Sequence, residues 1–185
     1  MNVVIFTCSP NLDGLTAACG KAAQEGALEV GANVKIINLN QQKIGRCQAC
    51  GNGWGPCRNE HECQVQDEFQ ALHASLEGFD AFVFVTPVYF GDLSESAKAF
   101  TDRLRRCEAF KEESYFQGKP IIEVAAAGGT GNGITSCLTA LERIFLTIKA
   151  EKFDLIGVTQ KNRKYKLETI KAAAKEMVSL YSSKK

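Results

Sequence analysis

"AFVFVTPVYFGDLS", residues 81–94, decides the fold. Ala81 to Val85 is almost wholly apolar. A strand with one face in water alternates polar and apolar residues, whereas a central parallel strand is covered on both faces and reads as a continuous apolar run. A buried parallel strand needs neighbours on either side, and the rest of the chain supplies them.

Upstream, Val3 to Thr7 is a β-branched and aromatic run ending at Cys8-Ser9-Pro10. Leu15, Ala18, Cys19, Ala22, Gly26 and Val30 then recur at helical steps, with Gly31 placed to close the helix as a left-handed residue. Val34 to Leu39 is a second strand. Asp67, with Gln70 three residues on, caps a helix whose apolar face is Phe69, Leu72 and Leu76 and which ends at Gly78. Downstream, Ala97, Phe100, Leu104 and Cys107 form a helical face. Ile121 to Ala125 is a fourth strand. Ile134, Cys137, Leu138, Leu141, Ile144, Phe145 and Ile148 make the strongest stripe in the chain. Phe153 to Val158 is a fifth strand, followed by a helix carrying Leu167, Ile170, Ala174, Met177 and Tyr181. Five strand–helix units with no repeat and no linker predict an α/β fold of one domain over residues 1–185. Its core is a doubly wound five-stranded parallel sheet in the order 2-1-3-4-5, flavodoxin-like, with a Cys-rich loop at 45–66.

Composition narrows the function classes. The 185 residues carry 22 Lys and Arg against 21 Asp and Glu, a net charge of +1. A nucleic-acid binder carries a basic excess, so none is expected here. No apolar run reaches the roughly 20 residues of a membrane helix, and "MNVVIFTCSP" reads as a strand rather than a signal peptide, so no membrane association is expected. Eight cysteines without a secretion signal point to thiols in a reducing, cytoplasmic setting.

In sheets of this order, ligands bind beyond the carboxyl ends of the strands, near the switch in strand order. Three loops lie there: "SPNLDGLT" (9–16), "TPVYFGDLS" (86–94) and "AAGGTGNG" (126–133). The first, small and hydroxyl-rich, opens onto a helix whose free N–H groups and dipole attract an anion. Taken alone it reads first as a plain turn with a Ser or Asn cap. Neither a G-x-x-x-x-G-K-[ST] nor a G-x-G-x-x-G pattern occurs, which favours a monophosphate ligand over a nucleoside triphosphate or a dinucleotide. The second presents Tyr89 and Phe90 beside Gly91, either to cover a flat ring or to fold back into the core. The third packs four glycines into residues 128–133, a density that lets backbone lie against a ligand face.

Together, "SPNLDGLT", "TPVYFGDLSESAKAFTDR" and "AGGTGNG" resemble the flavodoxin-like NAD(P)H-dependent FMN reductases, and within them the iron–sulfur flavoproteins. The resemblance implies non-covalent FMN. Ser9, Asn11, Gly14, Leu15 and Thr16 would hold its phosphate. Pro87, Val88, Tyr89, Phe90 and Gly91 would line the isoalloxazine, with Gly128, Gly129, Thr130 and Gly131 at its other edge. Cys8 departs from the family, where many members have glycine before the Ser-Pro.

"CQACGNGWGPCRNEHEC", residues 47–63, holds Cys47, Cys50, Cys57 and Cys63 in C-x2-C-x6-C-x5-C spacing. Four thiolates suit a [4Fe–4S] cluster or zinc. The resembled branch carries a tighter run, with a cysteine where this chain has Gly53. Packed thiols beside the flavin or a subunit contact, structural zinc and a redox disulfide are the other readings. Trp54 and His61 read as ordinary packing and a solvated imidazole, His73 as surface, and Arg103, Arg105 and Arg106 as a solvated helix face. Cys19, Cys107 and Cys137 lie on apolar faces and read as core.

The expected function is an FMN-dependent oxidoreductase that takes reducing equivalents from NAD(P)H. It passes them to a small-molecule or protein acceptor such as a quinone, free flavin or redox partner. An electron carrier and a flavin-free binding domain on the same fold are the rivals. The strand-end cleft and the long 41–66 loop point to a homodimer or homotetramer.

Overall fold

Residues 1–183 are described by a computed structural model. Ala81–Pro87 forms β3, buried at each of its seven positions, and pairs in parallel with β1 (Asn2–Thr7) and β4 (Pro120–Ala127). β2 (Asn33–Asn38) pairs with β1, and β5 (Glu151–Thr159) with β4. The order is β2-β1-β3-β4-β5, as the alternation of strands and helices required. A register irregularity at Ile121/Ile122 is the one break in the β4–β5 ladder.

Two helical layers cover the sheet. α1 (Leu15–Leu28) and α5 (Arg163–Ser182) pack over Val3, Ile5, Val83, Val85, Val124 and Ile156. On the other face, α2 (Phe69–Ser75), α3 (Glu95–Glu108) and α4 (Ile134–Thr147) pack over Val4, Phe6, Phe82, Phe84 and Ala125. Phe84 contacts the rings of both Phe6 and Phe145, at centroid distances of 5.7 and 5.2 Å. Truncating such a ring costs about 3–5 kcal/mol. α1 approaches α5 closely because position 26 is glycine: a Cβ there would lie 2.0 Å from the Lys171 carbonyl oxygen.

The left-handed residue expected after α1 is present at Gly31, with φ of +76°. The N-cap position of α2 is Glu68, one residue later than expected, but Asp67 and Gln70 do bond reciprocally just before it: Asp67 Oδ1 accepts from the Phe69 amide at 2.9 Å, and Gln70 Oε1 accepts from the Asp67 amide at 3.2 Å. Cys19, Cys107 and Cys137 lie fully in the core. So does Cys8, which packs.

Two readings are corrected. His73 is buried at 7% exposure, because it stacks on Phe69 and meets the Glu108 carboxylate at 2.6 Å. Arg103 is buried at 1%, unlike the half-exposed Arg105 and Arg106. α3 turns Arg103 toward the 45–67 loop, whose carbonyls and Asp67 receive its N–H groups.

Candidate functional site

Direct bonds bring the three strand-end loops together. The Cys8 amide donates to the Val85 carbonyl at 3.0 Å, and Ser94 Oγ donates to the Cys8 carbonyl at 2.8 Å. Asn38 Nδ2, at the end of β2, donates to the Ser9 carbonyl at 3.1 Å. The second loop is tied to the third: Val88 N–H donates to the Ala126 carbonyl at 3.0 Å, and Ser136 Oγ donates to the Gly91 carbonyl at 2.7 Å. Asn38, Ser94 and Ser136 escaped sequence reasoning because bonds across 29, 86 and 45 residues leave no local pattern.

The α1 N-terminus is uncapped. Its N-cap is Gly14, no side chain bonds to it, and the first turn carries no acidic residue. The first intrahelical bond runs from Ala18 N–H to the Gly14 carbonyl. The amides of the preceding turn therefore have no acceptor within the helix, and the dipole adds partial positive charge. This departs from the plain Ser or Asn cap. Ser9 Oγ instead accepts from the Asn11 amide, and Asn11 Oδ1 from the Asp13 amide, each at 3.2 Å. Those side chains brace the loop, while Leu15 and Thr16 are buried beneath it. A cavity of about 610 Å³ flanks this loop on the β2 side, lined by Ser9, Asn11, Lys21, Asn38 and Arg163 among others. Lys21 and Arg163 outnumber the one carboxylate in its lining, Asp13, and leave it net positive.

Tyr89 and Asp92 exchange backbone hydrogen bonds at 2.9 and 3.1 Å. Phe90 and Gly91 form the tip between them, with φ of +51° and +85°. Positive φ at both central residues is a type I′ turn, and for phenylalanine it costs about 1–2 kcal/mol. The turn throws the Phe90 ring wholly into solvent and leaves Tyr89 partly exposed. The aromatics therefore do not fold into the core. Opposite, Gly128 and Gly129 face open space. An anion cradle, an exposed aromatic and open glycine backbone at one sheet edge fit a phosphorylated planar ligand such as FMN.

The second cluster lies across α3. Cys47, Cys50, Cys57 and Cys63 line one cavity with Gly55, Arg103 and Arg106, and its free space is about 20 Å³. None of the eight cysteines forms a disulfide. Among the described residues, no group of three or more His, Cys, Asp or Glu is placed to hold a single metal ion. The four thiols share a cavity without converging on one ion position. In number and softness, this donor set fits an iron–sulfur cluster, whose ligands are spread over several irons.

Arg103 Nε donates to Cys63 Sγ at 3.3 Å. Its other nitrogens donate to the Gly45 carbonyl at 3.0 Å, Asp67 Oδ2 at 2.6 Å and the Val65 carbonyl at 2.9 Å. Its guanidinium also sits 4.3 Å from the Phe69 ring centroid. Partial burial would raise the Asp67 pKa, but Arg103 and the amides of Gly45 and Phe69 outweigh it and hold the carboxyl below its ordinary value. Arg106 stacks on the Trp54 ring at 4.4 Å. His61 is not free in solvent: its Nδ1 lies 3.2 Å from the Cys107 carbonyl, which can only accept, so Nδ1 carries the hydrogen. Burial pushes the Cys19, Cys107 and Cys137 thiols up to about 12, so all three stay protonated, unlike a thiolate ligand.

An open parallel sheet in this order, with a phosphate-type loop after β1 and aromatic and glycine loops after β3 and β4, defines a flavodoxin-like protein. More narrowly, the chain belongs to the NADPH-dependent FMN reductase family, whose model matches residues 1–153. It is similar to an iron-sulfur flavoprotein of Archaeoglobus fulgidus, 32% identical over 100 residues that cover 54% of this chain and 49% of that protein. It also resembles an iron-sulfur flavoprotein of Methanocaldococcus jannaschii, 26% identical over 147 residues covering 79% and 71%. The chain spans about half the length of most curated relatives it matches. Among solved structures, a flavone reductase superposes with a TM-score of 0.77 at 15% identity, covering 98% of this chain and 63% of that one. The NAD(P)H:quinone oxidoreductase from Methanothermobacter marburgensis gives 0.72 at 16%, covering 96% of each. At those identities the likeness is one of fold.

Proposed function

We propose that the protein is an FMN-dependent oxidoreductase. It would accept reducing equivalents from NAD(P)H and pass them to a quinone, a free flavin or a redox partner. One observation carries this reading: the uncapped α1 N-terminus and the strained, outward Phe90 stand at the same sheet edge. The family match supports it.

In this reading the free amides after Gly14 and the Thr16 hydroxyl hold the FMN phosphate, with Ser9 and Asn11 keeping the loop in shape. Phe90 and Tyr89 would cover the ring, and the backbone of Gly128 to Gly131 would line its other edge. Bound there, FMN would supply the hydride-accepting and electron-releasing chemistry. The lining loops need no acid or base for that transfer, and 87–91 and 128–131 offer no carboxylate, lysine or histidine. Titrating FMN into the flavin-free protein should quench flavin fluorescence at one site per chain. Anaerobic NADH or NADPH should then bleach the visible band. Binding with no bleaching by either nucleotide would favour an electron carrier.

The four-cysteine cavity supports a second component. Cys47, Cys50, Cys57 and Cys63 would hold an iron–sulfur cluster, which exchanges single electrons. The left-handed Gly51 and Gly53 let the loop open around it. Anaerobic reconstitution should give iron and sulfide in the wild type and lose both in a Cys50→Ala, Cys57→Ala double variant. Equal substoichiometric iron in the two would return the cysteines to packing or redox thiols. One domain over 1–185, a homodimer or homotetramer and a cytoplasmic setting complete the proposal. No helix among the described residues is long and apolar enough to cross a membrane.

A further inference from the structure

We propose that Arg103 is the positioning residue of the four-cysteine cavity. Its guanidinium clamps both ends of the 45–67 loop and aims the Cys63 sulfur inward, and its buried charge makes a cluster held there easier to reduce. The cluster half of this rests on the proposed function; the clamp half rests on geometry alone.

Arg103 spans the loop. It bonds Gly45 where the loop begins, and Val65 and Asp67 where it ends, with Cys63 between. Those contacts place one rigid fork across some twenty residues that are otherwise mostly irregular. A lysine has one nitrogen and cannot reach four acceptors in different directions. Asp67 is itself fixed, since Oδ2 also accepts from the Gly45 amide at 2.8 Å and Oδ1 from the Phe69 amide. The clamp is thus a closed network among α3, α2 and the loop.

The charge argument follows from burial. Arg103 is 1% exposed, and Asp67 is its one carboxylate partner among the described residues. Arg106 lines the same cavity and donates to the Gly53 carbonyl at 2.5 Å, but no carboxylate pairs with it among the described residues. A cluster with four thiolates is anionic, and taking one electron from a donor, here reduced flavin, adds one negative charge. A cation bonded to a ligand sulfur in a low-dielectric setting favours the reduced form.

The test compares wild type with Arg103→Met, Arg103→Lys and Asp67→Asn. Two readouts are used: trypsin cleavage within the 45–67 loop of the iron-free protein, and the midpoint potential after anaerobic reconstitution, followed by EPR. Arg103→Met should speed loop cleavage roughly tenfold, lower iron affinity roughly 10–100-fold and shift the midpoint to more negative values. Arg103→Lys should keep the midpoint near wild type yet still lose iron affinity. Asp67→Asn, which leaves the cation less neutralised, should shift the midpoint the opposite way. A merely structural role would not give opposite signs. Unchanged cleavage in Arg103→Met would overturn the clamp. Midpoints shifted in the same direction by Arg103→Met and Asp67→Asn would overturn the charge role. If the wild type itself takes up no iron or sulfide, the cluster reading and the charge role fail together, and the cleavage rates decide the clamp.

Discussion

Gly91 and Gly133 touch backbone to backbone. A Cβ on Gly133 would lie 2.5 Å from the Gly91 Cα and 3.0 Å from its nitrogen. Gly133 has φ of +83° and caps α4, while Gly91 sits at the tip of the Phe90 turn. The aromatic loop and the glycine-rich loop are therefore held at one distance by two absent side chains.

Gly133→Ala should pry these loops apart. The left-handed conformation costs about 1–2 kcal/mol for alanine, and the clash is with backbone that cannot turn aside. FMN affinity should fall roughly tenfold or more by fluorescence titration. Gly31→Ala is the control. Its φ is +76° but nothing lies within 4 Å of the added carbon, so it should lower Tm and leave FMN binding intact.

The phosphate loop should respond in a graded way. A Cβ at Gly14 meets the end of the Asn11 side chain at 3.0 Å, which can move, so Gly14→Ala should weaken FMN only a few-fold. Thr16→Glu puts a bulky anion at a buried position in the first turn of α1, where an anionic ligand is expected. It should abolish detectable FMN binding while a circular-dichroism melt still shows a folded protein. Equal affinities in the two variants would place the phosphate elsewhere.

Glu123 lies fully buried in β4, on the α4 side, with no hydrogen-bond partner for either carboxylate oxygen. Burial, reinforced by the Glu142 carboxylate and opposed by Lys152, pushes its pKa from 4.5 to about 8. The folded state thus holds a proton that the unfolded chain releases above pH 4.5. Stability should fall as pH rises from there to about 8, by a few kcal/mol, and then level off. Glu123→Gln should remove this slope, raising Tm at pH 9 and changing it little at pH 4.5. A wild-type Tm as high at pH 9 as at pH 5 would contradict the assignment.

Glu108 behaves oppositely. Burial alone would raise its pKa, yet hydrogen bonds from His73 and Ser114, with the His73 charge and the Tyr115 amide, lower it. The stability it contributes is full above the ordinary carboxylate value and is lost as pH falls through the lowered one. His73 Nε2 reaches Oε1 at 2.6 Å, while Ser114 Oγ and the Tyr115 amide reach Oε2 at 2.7 Å. Glu108→Ala should cost about 3–5 kcal/mol in urea melts at pH 7, since it breaks the buried pair with His73 and leaves the Tyr115 amide without its acceptor, while Ser114 Oγ keeps the Ile148 carbonyl at 2.8 Å. The loss should shrink toward acid pH.

If the strand-end cleft and the long loop are covered by a second copy, light scattering at micromolar concentration should give a multiple of the 20.2 kDa chain mass. A monomer would remove the subunit contact from the proposal.

The alternation of apolar runs and helical stripes determined the sheet, its order and the three loops at its carboxyl edge, because period and turn chemistry are local properties of the chain. It also determined the Asp67–Gln70 pairing at the start of α2 and the core placement of Cys19, Cys107 and Cys137, which follow from spacing within each helix. Only the tertiary structure decided what Arg103 and His73 do. Both lie on helices whose local pattern suits a solvated position, and each is held by hydrogen-bond partners 35 to 58 residues away. It also decided that Phe90 points outward, since the same aromatic pair after a buried strand packs inward or outward according to a turn whose two positive φ values the neighbouring loop supports. Sequence carries the energies of near neighbours, whereas a buried charge is set by the groups that the whole fold brings to it.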